Sequence, residues 1–555
     1  MGVGHSRHHK VAAAAAAMPE TITIRNLTIT PLELKLVERL DPPQDYGDPI
    51  GFTNITARFT GGQQQANGTA SAPEPTPSTS NGEETTLRRP SASQQLHGIS
   101  LPPFSERPTN VYPPDLSRRG EQIRLTFQEP GTNHRYAAEI PGPSPKSIVL
   151  KPVGGDSPAD NGKEFTAIYL PSQAYLALFS SADLSSWMNH IGSSLPLSSL
   201  SIPGTHNSPT CYVALPSVRC QAVSVTEQLL NGVRFLDVRV NVPEHAQHTS
   251  QPPDLALVHS AFPIALSGPK YFHHLLDKVY AFLETHPSET VLMSIKREGT
   301  GKGTDQHLSK ILRKHYVSDE RWHYHHARGK IPTLGEVRGK IVLVRRFHLP
   351  HPDEDQDRLF DQGFGIDGSH WPDNVADGIC GSGQIRIQDY YGVQAADEIE
   401  TKIRYAQEEL QRSAEQVLRL PVHRRGPRSE SSRPGSRTGP TTATTAEVVQ
   451  RSRRRSSSGD GRNKQHDPLP LFINFLSASN FFNANCWPDR IATRINPQMI
   501  EYLCHSHGAE GKGSLKAPVG DAATGIVVTD WVGHNGDWDL VRCIVGWNAR
   551  LQLKV

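Results

Sequence analysis

The sequence predicts an α/β protein with a (β/α)₈ barrel of the TIM type over residues 185–555, preceded by a small antiparallel β-sandwich over residues 19–175. The barrel is predicted because eight β-type runs alternate with helical patterns over about 350 residues, within the usual range for this fold. Polar and charged side chains also stand at the ends of successive runs, where barrel enzymes place their sites. The sandwich is predicted because short strand patterns alternate with turn residues.

The predicted barrel elements follow one another as a βα repeat requires. Ser224–Glu227 forms a capping box, and Gly232 can end the helix that this box begins. An apolar stripe from Phe272 to Leu283 marks a second helix, which stops before Pro287. Further helical patterns cover residues 308–316, 396–420 and 497–504. The eight predicted strands end at Ile202, Val238, Val258 and Ile295 or occupy Lys340–Val344, Gln384–Ile387, Leu471–Leu476 and Gly525–Thr529.

Three segments are predicted to be disordered, because their composition cannot bury a core. They are the N-terminus (residues 1–18), a Gln-, Ser- and Pro-rich loop within the sandwich (61–100) and a basic insertion within the barrel (421–467). The first residues also fit the loose pattern for N-myristoylation at Gly2.

Composition limits the class of protein. The formal net charge of the 555 residues is only +2, so no bulk nucleic-acid footprint is expected. No apolar run is long enough for a transmembrane helix, and the N-terminus has no signal-peptide core. The six cysteines form no C-x-x-C pair, which favours reduced thiols over a zinc ribbon. We therefore expect a cytoplasmic protein with peripheral membrane association.

The candidate site residues stand at the ends of the predicted strands. His206 and His259 each follow a short apolar run, and two imidazoles near cations favour acid–base chemistry on an anionic substrate. Alternate residues of a strand share a face, so Asp237 points with Arg239, Lys296 with Glu298, and Asp389 with Tyr391. Asp530 ends the last strand.

These motifs together resemble the X domain of bacterial-type phosphatidylinositol-specific phospholipase C. The resemblance covers roughly Trp187 to Asn548, without the basic insertion. It is carried by Ile202–Ser208, Gly232–Arg239, Val258–His259, His286–Lys296, Ile387–Tyr391 and Val527–Gly533, in the order that the family has them.

The resemblance implies a catalytic mechanism. The inositol 2-hydroxyl attacks the neighbouring phosphodiester, with His206 as general base, oriented by Asp530. His259 protonates the diacylglycerol oxygen that leaves, and Arg239 stabilises the phosphate charge. The product is a cyclic inositol phosphate. The catalytic candidates are His206, His259, Asp237, Arg239, Asp530 and Asn207.

The resemblance also implies a headgroup site for a phosphoinositide or related inositol phosphodiester. Arg345 or Arg346 and Asp389 bond the hydroxyls, and Tyr391 stacks on the sugar. The substrate-binding candidates are Lys296, Glu298, Arg345, Asp389 and Tyr391.

Arg239 and Asn207 bear on the metal question in opposite ways. Calcium-dependent relatives have a carboxylate where Arg239 stands, so we expect catalysis without a metal or other cofactor. Bacterial-type members have Asp where Asn207 stands, and Asn is typical of the calcium-dependent relatives.

Two alternatives remain open. The first is a catalytically weak or inactive protein that binds lipid or a partner on the same barrel. The second is another lipid phosphodiesterase, of the glycerophosphodiester or sphingomyelinase D type. Those enzymes need Asp or Glu metal ligands near the first histidine, and the Asp237–Arg239 pair fits them poorly.

Overall fold

The computed structural model describes residues 21–40, 90–115, 117, 120–142, 147–154, 163–243, 253–318, 320–324, 330–355, 358–419 and 469–554. The predicted N-terminal segment (1–18), with Gly2, and the basic insertion (421–467) lie outside these residues. Most of the predicted loop 61–100 lies outside them as well.

The first part of the chain folds into short strands. The described ones are β1 (Thr23–Asn26), β2 (Leu32–Leu40), β3 (Pro90–Leu101), β4 (Ser105–Pro108), β5 (Gln122–Gln128), β6 (Arg135–Ile140), β7 (Ser147–Val149), β8 (Lys151–Val153), β9 (Phe165–Leu170) and β10 (Tyr175–Ser180). They form two five-stranded sheets, in the orders β4-β1-β10-β9-β7 and β3-β2-β5-β6-β8. Apolar side chains of both sheets join in one buried cluster, in which Ile24 and Leu178 of the first sheet meet Leu125 and Phe127 of the second.

Three sequence expectations about this part are corrected. Strands β1 and β10 pair in parallel, so the sheets are not purely antiparallel. Residues 90–100, predicted to be loop, belong to β3, because β2 supplies backbone partners to a polar strand that has no apolar pattern of its own. The predicted boundary at residue 175 cuts the first sheet, because β10 runs to Ser180.

The second part combines parallel strands with helices. Its described strands are β11 (Ile202–Thr205), β12 (Phe235–Asn241), β13 (Ala256–His259), β14 (Phe262–Pro263), β15 (Val291–Arg297), β16 (Trp322–His323), β17 (Ile341–Arg346), β18 (Ile366–Asp367), β19 (Gly378–Ile379), β20 (Ile385–Gln388), β21 (Leu471–Phe475) and β22 (Ile526–Thr529). Its described α-helices are α1 (Val225–Leu230), α2 (Phe272–Thr285), α3 (Asp305–Ile311), α4 (Leu334–Val337), α5 (Glu398–Ala414), α6 (Pro488–His505) and α7 (Asp539–Gly546).

The parallel strands form one long sheet. Its order is β16-β17-β15-β12-β11-β22-β21-β20, and β18 pairs in parallel with the end of β17 beyond β16. Side chains from β11, β12, β15, β17, β18, β20, β21 and β22 join one buried cluster. The sheet therefore curls around a common core, although β18 and β20 do not pair with each other among the described strands. Parallel strands bring their C-terminal ends, and the residues that follow them, to one side of the molecule.

One strand predicted to belong to the barrel lies outside the parallel sheet. The run that ends at Val258 forms β13, which pairs antiparallel with the end of β12 and with β14. The expectation that it is a barrel strand is wrong, because β13 runs antiparallel to its neighbour β12, whereas barrel strands pair in parallel. The two-residue strand β18 lies at the C-terminal half of β17, and such a short strand has no periodicity to detect.

The two parts of the chain pack closely. Leu27, Tyr175 and Phe179 of the first sheet join a buried cluster with α5, α6 and α7. The buried Arg25 donates through Nη1 to the Cys504 carbonyl at 3.0 Å and through Nη2 to the His507 carbonyl at 2.8 Å. Among the described residues, no helix is both long and apolar enough to span a bilayer.

Candidate active site

The first imidazole is positioned by two neighbouring strand ends. His206 follows β11, and its backbone N–H donates to the Thr529 carbonyl at the end of β22. Its Nδ1 lies 2.9 Å from Oδ1 of Asp530. A carboxylate at this distance accepts Nδ1–H and leaves Nε2 as the basic nitrogen. Burial lowers the pKa of His206 well below its ordinary value, and the charge of Arg239 lowers it further, so the ring is neutral at neutral pH.

The second imidazole has a different partner. His259 ends β13, and its Nδ1–H donates to the Val218 carbonyl at 2.8 Å, so Nε2 is the free nitrogen. The ring is 8% exposed. Burial lowers its pKa, and the charge of Arg239 acts in the same direction. Among the described residues, no carboxylate is bonded to this imidazole.

The two imidazoles face each other. Their ring centroids are 5.7 Å apart, and their planes are nearly perpendicular, at 84°. Because β13 folds back, it carries His259 over the end of β11 even though it is not a barrel strand. Each ring has one free nitrogen that can take part in proton transfer.

A guanidinium lies beside the imidazoles. Arg239 donates to Oδ2 of Asp237 through Nε at 3.2 Å and Nη2 at 3.0 Å. Its Nη1 donates to Oε1 of Glu298 at 3.1 Å. Asp237 is fully buried, and its backbone N–H donates to Oγ of Ser208 at 2.9 Å. Burial alone raises the pKa of Asp237, but Arg239 and Arg346 outweigh burial and leave that pKa lowered.

Glu298 connects several groups of the site. Its Oε1 accepts from Arg239 and, at 2.8 Å, from Nζ of Lys296. Its Oε2 accepts the backbone N–H of Ser260, the residue after His259, at 2.9 Å. Burial opposes ionisation, but Arg239 and Lys296 lower the pKa of Glu298 to about 2. These bonds give Glu298 a positioning role, and its contact with substrate stays a prediction.

The register of the sheet aligns three cations. Arg239 is the pairing partner of Lys296, and Lys296 is the pairing partner of Arg346. Nη1 of Arg346 lies 3.3 Å from Oδ1 of Asp237, and Nη2 lies 3.8 Å from Oδ2 of Asp389. The side chain of Lys296 is 38% exposed, so its ammonium group reaches the mouth.

Of the two predicted arginines, Arg346 faces the site and Arg345 does not. Neighbouring residues of a strand point to opposite faces. Arg345 forms an ion pair with Asp367 of β18 at 2.7 Å and donates to the Phe364 and Phe347 carbonyls. The assignment of Arg345 to substrate binding is wrong, and this residue anchors the edge strand.

The headgroup candidates that follow β20 lie at the same mouth. Oδ2 of Asp389 accepts from Trp371 Nε1 at 2.9 Å, and the guanidinium of Arg346 lies 3.8 Å from the centroid of the Trp371 ring. Tyr391 is 43% exposed, and its hydroxyl donates to Asp373 at 2.8 Å. An exposed ring beside a carboxylate offers a stacking face and an acceptor to a polyol.

Asn207 is an unusual feature of the site. It is fully buried with a φ of 40°, and its backbone N–H donates to Oδ2 of Asp237 at 3.1 Å. Neither its amide oxygen nor its amide nitrogen has a partner among the described residues. The structure therefore ties this predicted catalytic candidate to Asp237 through its backbone.

Four contributors escaped sequence analysis because they lie on loops or helices without strand periodicity. Nε2 of Gln221 donates to the His206 carbonyl at 2.7 Å and to the Thr529 carbonyl at 3.0 Å, and it lies 3.4 Å from Oδ1 of Asp530. The fully buried Lys402 donates to Gln388 at 2.9 Å. The other two are Trp371 and Cys220, whose Sγ lies 3.6 Å from Nδ1 of His259.

The residues present do not suit a calcium ion at Arg239. The two nearest carboxylates, Asp237 and Glu298, already bond this guanidinium. Calcium requires six to eight oxygen ligands, and a cation at hydrogen-bond distance would be repelled. Catalysis without a metal stays a prediction.

Comparisons with known proteins find similarity over part of the chain. Residues 193–347 match a family model described as "Phosphatidylinositol-specific phospholipase C, X domain". This segment of the chain is therefore similar to the X-domain family. A 1-phosphatidylinositol phosphodiesterase of Listeria monocytogenes is 29% identical over 189 residues, which are 32% of this chain and 54% of that protein. PI-PLC X domain-containing protein 1 of Homo sapiens is 29% identical over 181 residues, which are 27% of this chain and 52% of that protein.

The X-domain match thus spans about half the length of these two curated relatives. A solved structure of the phosphatidylinositol-specific phospholipase C from Listeria monocytogenes aligns with 66% of this chain and 99% of its own chain. Its sequence identity is 17% and its TM-score 0.41.

Proposed function

We propose that this protein is a phosphodiesterase of the phospholipase C type that cleaves phosphatidylinositol-like lipids at the mouth of a (β/α)₈ barrel. The observation that carries the proposal is the pair His206 and His259, 5.7 Å apart between ring centroids, with Arg239 beside them. Such a pair suits a reaction in which one ring accepts a proton while the other donates one.

In the proposed first step the 2-hydroxyl of the inositol attacks the phosphorus. Nε2 of His206 accepts the hydroxyl proton while Asp530 holds Nδ1–H and stabilises the imidazolium. Nε2–H of protonated His259 gives its proton to the diacylglycerol oxygen as the P–O bond breaks. General acid and base groups contribute roughly 10²- to 10⁴-fold each. Arg239 and Lys296 stabilise the phosphate charge.

Of the two imidazoles, His259 is less well suited to its proposed role than His206. A general acid must carry a proton, yet burial and Arg239 lower the pKa of this imidazole. The phosphate monoanion of the substrate raises that pKa when it enters the site, because an opposite charge favours the imidazolium. This dependence on substrate, together with the unbonded amide of Asn207, supports a slow enzyme as the second candidate function.

Phosphorus NMR of purified protein with phosphatidylinositol in chelator tests the proposal. We expect cyclic inositol phosphate from the wild type and none from His206→Ala or His259→Ala. Arg345→Ala provides a control in the barrel, because this side chain points away from the site. No turnover of any inositol lipid, with or without calcium, would favour the non-catalytic alternative.

An apolar rim beside the site supports docking on a membrane. Val213, Leu266 and Phe482 are 75%, 68% and 94% exposed, in loops that follow β11, β14 and β21. Phe481 stacks on Phe262, three residues after His259, with ring centroids 5.2 Å apart. We propose that this rim inserts among lipid headgroups, because exposed aromatic and aliphatic side chains favour the bilayer interface.

Vesicle binding tests the rim. Phe482→Ser should weaken sedimentation with phosphatidylinositol vesicles while hydrolysis of a short-chain monomeric substrate stays near the wild-type rate. Leu553→Ser is the matched control, because Leu553 is also exposed (61%) but lies at the C-terminal end. Equal loss of vesicle binding in both variants would refute the assignment of the rim.

A further inference from the structure

The proposed catalytic pair lies next to a thiol. One ring nitrogen each of His206 and His259 and Sγ of Cys220 lie within 4.8 Å of one another. Cys220 is fully buried and is a free thiol. We propose that these three side chains bind a thiophilic divalent cation of the Zn²⁺ type, and that the bound cation switches the proposed enzyme off.

The donor set suits zinc. A Cys–His₂ set is soft and nitrogen-rich, which favours Zn²⁺ over Ca²⁺ or Mg²⁺. In a tetrahedral site, a Zn–S bond of about 2.3 Å and a Zn–N bond of about 2.0–2.1 Å place sulfur and nitrogen about 3.6 Å apart. Sγ of Cys220 and Nδ1 of His259 are 3.6 Å apart. Since every pair of ligand atoms is within 4.8 Å, shifts of about 1 Å complete the set.

The surroundings orient the ligands. Nδ1–H of His206 is held by Asp530, so Nε2 faces the cation, as in the carboxylate–histidine–zinc arrangement. His259 binds through Nδ1 after its proton moves to Nε2, and the Val218 bond is given up. The thiol of Cys220 releases its proton to solvent. The fourth position is open for water or phosphate.

The charge of Arg239 lowers the pKa of both imidazoles and so opposes a cation on them, but it does not exclude one. The positive charge of this guanidinium is shared by two carboxylates, with Asp237 at 3.0 Å and Glu298 at 3.1 Å. The thiolate adds a further negative charge when the metal binds. His206 is 12% exposed, so a cation can enter from the mouth.

The consequence for activity rests on the proposed function. A cation on both imidazoles takes the lone pair that accepts the hydroxyl proton. Saturating Zn²⁺ should then lower the rate at least about 100-fold, since loss of a general base costs roughly 10²- to 10⁴-fold. Chelator should restore the rate.

Cobalt titration of the full chain tests the site without any assay of activity. The wild type and Cys211→Ser, which removes another free thiol, should show one equivalent of Co²⁺ with a thiolate-to-cobalt charge-transfer band. Cys220→Ser should lose the band and bind competing Zn²⁺ at least about 10- to 100-fold more weakly, since even outer partners of a metal site cost that much. Thermal unfolding checks the fold, and Cys220→Ala replaces the serine variant if that variant unfolds.

The outcomes separate the site from the function. A band that persists in Cys220→Ser and Cys220→Ala, or no band in the wild type, overturns the metal site. If the wild type shows the charge-transfer band but Zn²⁺ does not inhibit its activity, the metal site stands and only the proposed inhibition is refuted. If no inositol lipid is cleaved, the band still decides whether the site exists.

Discussion

Replacement of Asp530 by asparagine tests how the proposed base is held. The usual danger of such a change is that the new NH₂ group donates to the imidazole and traps the wrong tautomer, which costs about 10⁴-fold in a Ser–His–Asp triad. In this protein Nε2 of Gln221 lies 3.4 Å from the same carboxylate oxygen that His206 contacts. Nδ1–H of His206 and the amide N–H of Gln221 therefore both require a hydrogen-bond acceptor at the Oδ1 position of Asp530.

The position of the second carboxylate oxygen, Oδ2, can take the NH₂ group of the asparagine variant. Oδ2 of Asp530 is buried and has no partner among the described residues. In Asp530→Asn the NH₂ group should occupy the Oδ2 position, while the amide oxygen keeps accepting Nδ1–H. The tautomer is preserved, and only the charge is lost.

The expected loss follows from the two kinds of hydrogen bond. A bond to a charged group contributes about 1.5–3 kcal/mol and a neutral one about 0.5–1.5 kcal/mol. The difference of about 1–1.5 kcal/mol corresponds to a decrease in kcat of roughly 5- to 15-fold. Initial rates on phosphatidylinositol in chelator measure it, with thermal unfolding as a check on the fold.

A second variant tests the role of Gln221 directly. Gln221→Met removes the donor, so in Asp530→Asn/Gln221→Met the amide is free to turn. The double variant should lose much more activity than the product of the two single losses, which a double-mutant cycle detects. If Asp530→Asn alone loses about 10⁴-fold, or if the two losses simply multiply, the argument about the acceptor position is wrong.

Three further predictions concern charge. Arg239→Lys should lower kcat roughly 10²- to 10³-fold with an intact fold, because an ammonium group cannot bridge two carboxylates as a fork does; a wild-type kcat would contradict this. Since the pKa values of His206 and His259 are both lowered, kcat/KM should peak below about pH 6.5 and fall as pH rises through the pKa of the acid. A plateau up to pH 8 would exclude the assignment. Lys402→Met should raise the unfolding temperature at pH 6 and less at pH 10, because burial lowers the pKa of this ammonium to about 7 and charging it costs stability below that pH.

The sequence predicts most strands of the parallel sheet but not their partners. Runs of β-branched residues locate β12, β15, β17, β21 and β22, because a buried parallel strand is apolar on both faces. The same composition describes β13, and nothing in its side chains says that it folds back beside β12. Strand direction is set by the connection, which is a tertiary property.

The choice between Arg345 and Arg346 shows a similar limit. Alternation along a strand says that the two arginines point to opposite faces, but not which face is inside. The register of three strands supplies that information, since Arg346 pairs with Lys296 and Lys296 with Arg239. Gln221 and Lys402 have no such pattern at all, because a loop and a helix from distant parts of the chain bring them to the site.

The carboxylates of the site explain why its cations can act on a phosphate without moving first. Asp237 holds both Arg239 and Arg346, and Glu298 holds Arg239, Lys296 and the backbone N–H that follows His259. A phosphate that enters therefore meets positive groups already in place, so little reorganisation is needed as charge develops. Glu298 thereby connects the residue that follows His259, the proposed acid, to Arg239, the guanidinium proposed to bind phosphate. Replacement of Glu298 should consequently disturb the acid and the phosphate contacts together.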